Sequence, residues 1–114
     1  MINSKKLIID YFFSGKKHHE NFKIGVEHEK FLFDGENNKR IDYLKVNEMF
    51  SALIEFGWNP ILEKKNIIGL NKENKNITLE PGNQIELSGE KLDNIHEACA
   101  ESQDYLFELK QVTK

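Results

Sequence analysis

The sequence predicts an α+β domain built on a mostly antiparallel sheet, and three observations predict it. Apolar residues recur at helical spacing in three stretches: one near the start, one in the middle and one at the end. Between them the pattern changes to alternation of apolar and polar residues, the signature of half-buried strands. The later extended segments follow one another through short polar or Pro-Gly connections. Such connections leave no room for the crossover that parallel neighbours need.

The first helix is expected from Ser4 to Phe13, with Leu7, Ile8, Tyr11 and Phe12 on its apolar stripe and Ser4 as N-cap. Gly15 and the run Lys16-Lys17-His18-His19 end it. Lys23 to Phe33 reads as a strand, with Ile24, Val26 and His28 on one face and Gly25, Glu27, Glu29 and Phe31 on the other. Asp34 to Asn38 is a turn cluster. A second helix is expected from Tyr43 to Phe56, burying Val46, Met49, Phe50, Leu53 and Ile54, with Gly57 placed to end it. Extended segments follow at Pro60 to Lys64, Asn66 to Leu70 and Ile77 to Glu80, the last two joined by a polar hairpin loop, Asn71 to Asn76. Pro81-Gly82-Asn83 turns the chain into a strand from Gln84 to Ser88. The final helix is expected from Lys91 to Gln111, with Leu92, Ile95, Cys99, Ser102, Leu106 and Leu109 on its inner face.

Composition narrows the function classes. The chain has 114 residues with no repeat or linker, so residues 1–114 read as a single domain. Eight Phe, three Tyr and one Trp supply a core and argue against disorder. A net charge of −3 gives no global drive toward nucleic acid or an acidic membrane, and no apolar run is long enough for a transmembrane helix. The start of the chain shows no cleavage site for a signal peptide. One cysteine, Cys99, excludes an intrachain disulfide and is expected as a small buried core residue, in keeping with a reducing cytoplasm.

The chemistry lies in carboxylates. In Gly25-Val26-Glu27-His28-Glu29-Lys30-Phe31, Glu27 and Glu29 project from one face of a strand. Side-by-side carboxylates repel, which costs little in water and much in a cleft unless a cation neutralises them. Magnesium, a hard ion with oxygen ligands, is the natural candidate; a solvated sheet face is the plainer reading of Glu-x-Glu alone. The second segment, Leu79-Glu80-Pro81-Gly82-Asn83-Gln84-Ile85-Glu86-Leu87-Ser88-Gly89, sets Gln84, Glu86 and Ser88 on one face, with Ile85 and Leu87 anchoring the other. No residue is assigned as a general acid, base or nucleophile. His28 lies opposite the glutamates and reads as a structural histidine, Trp58 as a packing anchor, and His18 and His19 as solvated. His96 stands one helical turn from Cys99, but nothing supplies an orienting third group for a nucleophile.

These two segments resemble glutamate–cysteine ligases of the plant and proteobacterial type. Asn59-Pro60-Ile61, Ile67-Ile68-Gly69-Leu70 and His96-Glu97-Ala98-Cys99-Ala100-Glu101 resemble the same family in the same order. The strand around Glu27 and Glu29 is also similar, more distantly, to the first metal-binding strand of glutamine synthetases. The resemblance implies a glutamine synthetase-like sheet and an ATP-dependent ligase of glutathione biosynthesis. That ligase joins the γ-carboxylate of glutamate to the amine of cysteine through a γ-glutamyl phosphate. It further implies that Glu27, Glu29, Glu80 and Glu86 hold Mg2+ between ATP and glutamate. Gln84 and Ser88 are expected beside them, facing nucleotide or substrate. Family members are several times longer, and Arg40, in a loop that nothing ties to a site, is the only arginine here. The chain is therefore expected to be the N-terminal piece of a ligase, inactive alone and completed by a missing C-terminal part. Two alternatives remain: another carboxylate–amine ligase on the same sheet, and a non-catalytic module that binds a metal or a partner.

Overall fold

The computed structural model describes residues 4–113. Ser4 caps α1 (Lys5–Ser14), its hydroxyl accepting from the Leu7 N–H at 3.3 Å. A short 3-10 turn, His19–Asn21, leads to β1 (Glu27–Phe31). The isolated bridges Ile24 to Leu92 and Phe33 to Arg40 hold extended backbone beyond the two ends of β1, where the sequence predicted one longer strand. Asp42 caps α2 (Tyr43–Leu53), and a 3-10 turn, Ile54–Phe56, runs into Gly57. Gly57 has φ of 86°, the left-handed conformation that a glycine at a helix end supplies without strain. Four strands follow: β2 (Asn59–Glu63), β3 (Asn66–Lys72), β4 (Lys75–Glu80) and β5 (Gln84–Ser88). The expected loop between β3 and β4 shrinks to Glu73-Asn74, because Lys72 and Lys75 still pair. Asn94 then caps α3 (Ile95–Val112), its side chain accepting from the N–H groups of His96 and Glu97.

The five strands form one antiparallel sheet in the order β1-β5-β4-β3-β2. In β3, Ile68 is passed over in the pairing with β2, Ile61 facing Gly69 and Leu62 facing Ile67. This bulge switches the side-chain alternation and turns Ile67 inward with Leu70. The other inward residues are Ile77, Ile85 and Leu87. They pack against Val46, Met49, Phe50 and Leu53 of α2 and Tyr105 and Leu109 of α3. Both helices thus cover the same face, which fixes that face of β1, β4 and β5 as the core and leaves the other open.

The structure corrects four expectations. None of α1's residues is buried: Leu7, Ile8, Tyr11 and Phe12 are exposed, so its apolar stripe has no partner among the described residues. Ile54, expected inside, lies at the exposed end of its helix. The inner face of α3 is Ala98, Glu101, Tyr105 and Leu109 rather than the stripe through Ile95, Cys99 and Leu106. Cys99 is accordingly exposed, not buried. The helix is turned by Tyr105, whose ring joins the core, and by Glu101, whose carboxylate accepts the Glu90 N–H at 3.0 Å. The radius of gyration, 17.7 Å, exceeds the roughly 13 Å expected of a compact domain this size.

Candidate functional site: a face of four carboxylates

Strand register builds the site. Glu29 lies directly across from Glu86, and Glu27 from Ser88. On the other side of β5, Glu86 faces Thr78 and Gln84 faces Glu80. Directly opposed Cβ atoms on a sheet stand about 4.5–5.5 Å apart and diagonal ones about 7–8 Å. Glu27, Glu29 and Glu80 therefore surround Glu86 on the open face, while Ile85 and Leu87 hold β5 in the core. Gln84 and Ser88 flank Glu86 on the same face, as their spacing requires.

The carboxylates are oriented locally. The Ser88 hydroxyl donates to Glu86 at 3.2 Å, and the Thr78 hydroxyl donates to Glu80 at 2.8 Å. The Glu86 carboxyl is pushed above its ordinary 4.5. Partial burial is the main cause; proximity to Glu27, Glu29 and Glu80 adds to it, and the Ser88 hydrogen bond works against it. Among the described residues, none of the four carboxylates has a lysine, arginine or histidine within ion-pair distance.

The opposite face of β1 does different work. His28 Nε2 lies 2.6 Å from the Ser102 hydroxyl of α3, and the Lys30 ammonium sits 5.4 Å from the centre of the Tyr105 ring. His28 is thus a helix-packing residue. Trp58, 2% exposed, packs in the core and donates from its indole N–H to Glu108 at 2.6 Å.

Arg40 is the residue whose placement the sequence concealed. Its guanidinium donates to the Gly82 carbonyl and stacks 4.6 Å from the centre of the Phe31 ring. Asn83 reinforces the link by donating to the Ile41 carbonyl at 3.0 Å. The loop after β1 is thereby tied to the corner between Glu80 and Glu86. The only sequence hint was the left-handed corner itself, where Gly82 has φ of 74° and a side chain would crowd the Arg40 guanidinium.

The arrangement suits a hard cation that keeps part of its water. Among the described residues no three His, Cys, Asp or Glu side chains form a ready-made cage. Magnesium does not need one, since it is held by one or two carboxylates plus substrate phosphates. An oxygen-only donor set, two opposed carboxylates and a raised Glu86 fit that mode of binding.

Residues 23–114 match the family model described as Glutamate-cysteine ligase family 2 (GCS2). The chain belongs to that family. Its relatives include glutamate–cysteine ligase A, chloroplastic, of Oryza sativa subsp. japonica, 41% identical over 110 residues, 96% of this chain and 22% of the relative. Another is glutamate–cysteine ligase, chloroplastic, of Medicago truncatula, 39% identical over 112 residues, 97% of this chain and 22% of the relative. The chain thus spans about 22% of the length of these relatives. The relatives also overturn the expected cytoplasmic location, since these, like that of Nicotiana tabacum, are chloroplastic. The expectation rested on a single cysteine, which does not distinguish one compartment from another.

Proposed function

We propose that this chain is the metal-binding sheet of a glutamate–cysteine ligase, which uses ATP to join the γ-carboxylate of glutamate to the amine of cysteine in the first step of glutathione biosynthesis. In this reading it is one domain of a longer enzyme whose remaining part supplies the groups that this chain lacks. The observation that carries the reading is the register that opposes Glu29 to Glu86, with Glu27 and Glu80 beside them.

Glu27, Glu29, Glu80 and Glu86 would hold Mg2+. Bound there, the ion neutralises charge on phosphate oxygens and orients them for transfer to a carboxylate. β5 fixes Glu86 between two buried residues, Ile85 and Leu87, so its carboxylate meets the ligand with little freedom left to lose. The Ser88 hydroxyl orients Glu86, and Gln84 offers an amide on the same face for nucleotide or substrate. Arg40 holds the corner that aligns Glu80 with Glu86.

Thermal melts of the chain with and without millimolar Mg2+ test this, comparing the native sequence with Glu27→Gln and Glu86→Gln. A ligand of the folded state at a hundredfold excess over Kd stabilises by about 2.7 kcal/mol. The native chain should gain more from magnesium than either variant, and both variants should be the more stable without it. Equal responses would show a solvated face and remove the metal assignment.

A further inference from the structure

The pairing of β1 with β5 continues past the ends of both strands. Beyond the Glu27–Ser88 pair the Gly89 N–H donates to the Val26 carbonyl at 2.9 Å, and Ile24 and Leu92 exchange two hydrogen bonds of 2.8 Å. Between these points one side has only Gly25, while the other has Glu90 and Lys91. Two residues thus stand against one, which is a β-bulge. A bulge takes backbone out of the ladder, and here the Glu90 N–H turns to the Glu101 carboxylate at 3.0 Å.

Glu101 reaches this N–H from the covered side of the sheet. It lies on the inner face of α3 and, at 9% exposed, is the only buried charged side chain among the described residues. It makes no ion pair among them. A buried carboxylate without a cation is costly, so its place in the core calls for a reason beyond packing. Gly89 is fitted to it: a Cβ there would overlap the Glu101 carboxylate and come within 3.1 Å of the Val26 carbonyl oxygen. Gly89 also lines a cavity of about 380 Å³ with Glu27 and Ser88, so the bulge borders the carboxylate face.

We propose that Glu101 is a positioning residue that locks this bulge in place and thereby holds Glu27 across from Ser88, beside Glu86. Side chains on a strand alternate with period two, so an extra residue displaced by one pair into the β1–β5 ladder turns Glu27 to the opposite face. Ile85 and Leu87 anchor β5 in the core; the Glu101 hydrogen bond specifies where the extra residue sits. Glu101 acts through the backbone and reaches the carboxylates only by way of Gly89 and Val26. The lock stands on its own residues; its bearing on Mg2+ rests on the function proposed above.

Amide hydrogen exchange and magnesium titration calorimetry on the full chain test this together. In Glu101→Ala the Gly89 amide and those of β1 should exchange faster while those of β3 and β4 keep their native protection. The Kd for Mg2+ should rise by about tenfold, as when a support behind metal ligands is removed. Glu101→Gln keeps an acceptor for the Glu90 N–H and should stay near native in both readouts. Gly89→Ala, which displaces the same carboxylate, should reproduce the alanine result and carries the test should Glu101→Ala not fold. Leu109→Ala truncates the core near the far end of α3. It should lower the melting midpoint and leave the magnesium Kd unchanged, so that lost stability alone does not imitate the effect. Exchange that quickens evenly through the sheet, or a native Kd in Glu101→Ala, overturns the proposal. A native chain that ignores magnesium removes the metal assignment instead. The exchange pattern then decides the lock by itself, selective opening upholding it and even or absent opening overturning it.

Discussion

Removing the Glu108 carboxylate should unfasten α3 from the far end of the sheet. Its two oxygens take the Trp58 indole N–H at 2.6 Å and the Lys72 ammonium at 2.8 Å. Lys72 also donates to the Phe56 carbonyl at 2.8 Å and sits 5.6 Å from the centre of the Trp58 ring. In Glu108→Ala the indole N–H is left without its acceptor, a loss of about 1–3 kcal/mol. The ammonium keeps one carbonyl but loses its counter-charge. Breaking a fully buried pair costs about 3–5 kcal/mol, and this pair is partly exposed, 26% for Lys72 and 15% for Glu108. A total of about 3 kcal/mol follows, which lowers the melting midpoint by roughly 12 °C in a domain of this size. Glu108→Gln keeps an acceptor for Trp58 and loses only the charge, so it should cost about 1 kcal/mol. Thermal melts followed by circular dichroism read both variants. If alanine and glutamine are equally mild, the three-residue network is not what joins helix to sheet.

Glu86→Gln should stabilise the metal-free chain near neutral pH and lose that advantage in acid. The folded state holds this carboxyl above its ordinary 4.5, so it binds the proton more tightly than the unfolded chain does. The stability contributed is complete below 4.5 and lost as pH rises through the raised value, which a pH series of melts would follow. Tyr105→Phe should be neutral or stabilising by up to about 1 kcal/mol, because the buried Tyr105 hydroxyl has no hydrogen-bond partner among the described residues. A clear loss in urea unfolding would refute this. Gly82→Ala should cost at least about 1 kcal/mol from the left-handed backbone alone. It should weaken magnesium binding only if that strain moves the corner that Arg40 holds, since the new methyl group itself asks the guanidinium to shift by no more than a few tenths of an ångström. Stability lost with metal response intact would separate the corner from the site.

The legible parts of this protein were those where local and global preferences agree. β5 was found to the residue because Gln84, Glu86 and Ser88 alternate with Ile85 and Leu87 and the turn residues bound them. The same alternation put Glu27 and Glu29 on one face of β1, and Glu86 with Gln84 and Ser88 on one face of β5. That the two faces coincide was implied by the family resemblance and is seen in the register of the strands. α3 was read partly off its true face, Leu109 and Ser102 correctly inward but Ile95, Cys99 and Leu106 not, because pattern logic keeps a carboxylate out of the interior. Glu101 breaks that logic by satisfying a backbone donor, information that resides in the Glu90 loop and not in the helix. α1 failed differently: its stripe is real, but periodicity says only that a helix has an apolar side, not that this stretch of chain covers it. Arg40 was invisible because its partners, Gly82 and Phe31, meet only once β1 lies against β5.

The position of β1 at the border of the sheet has a consequence in time. β2 to β5 form a meander whose turns are short, so each pairing closes a small loop. β1 must instead reach across α2 and three strands to find β5, and closing that loop is the entropically slow step. The charged face is thus expected to assemble last, with Glu27 and Glu29 arriving at a Glu86 already held in place. During synthesis from the N-terminus those two glutamates emerge early and wait. A cation present at that moment would favour the final pairing by screening the repulsion it creates, and refolding in magnesium should then be faster as well as more complete.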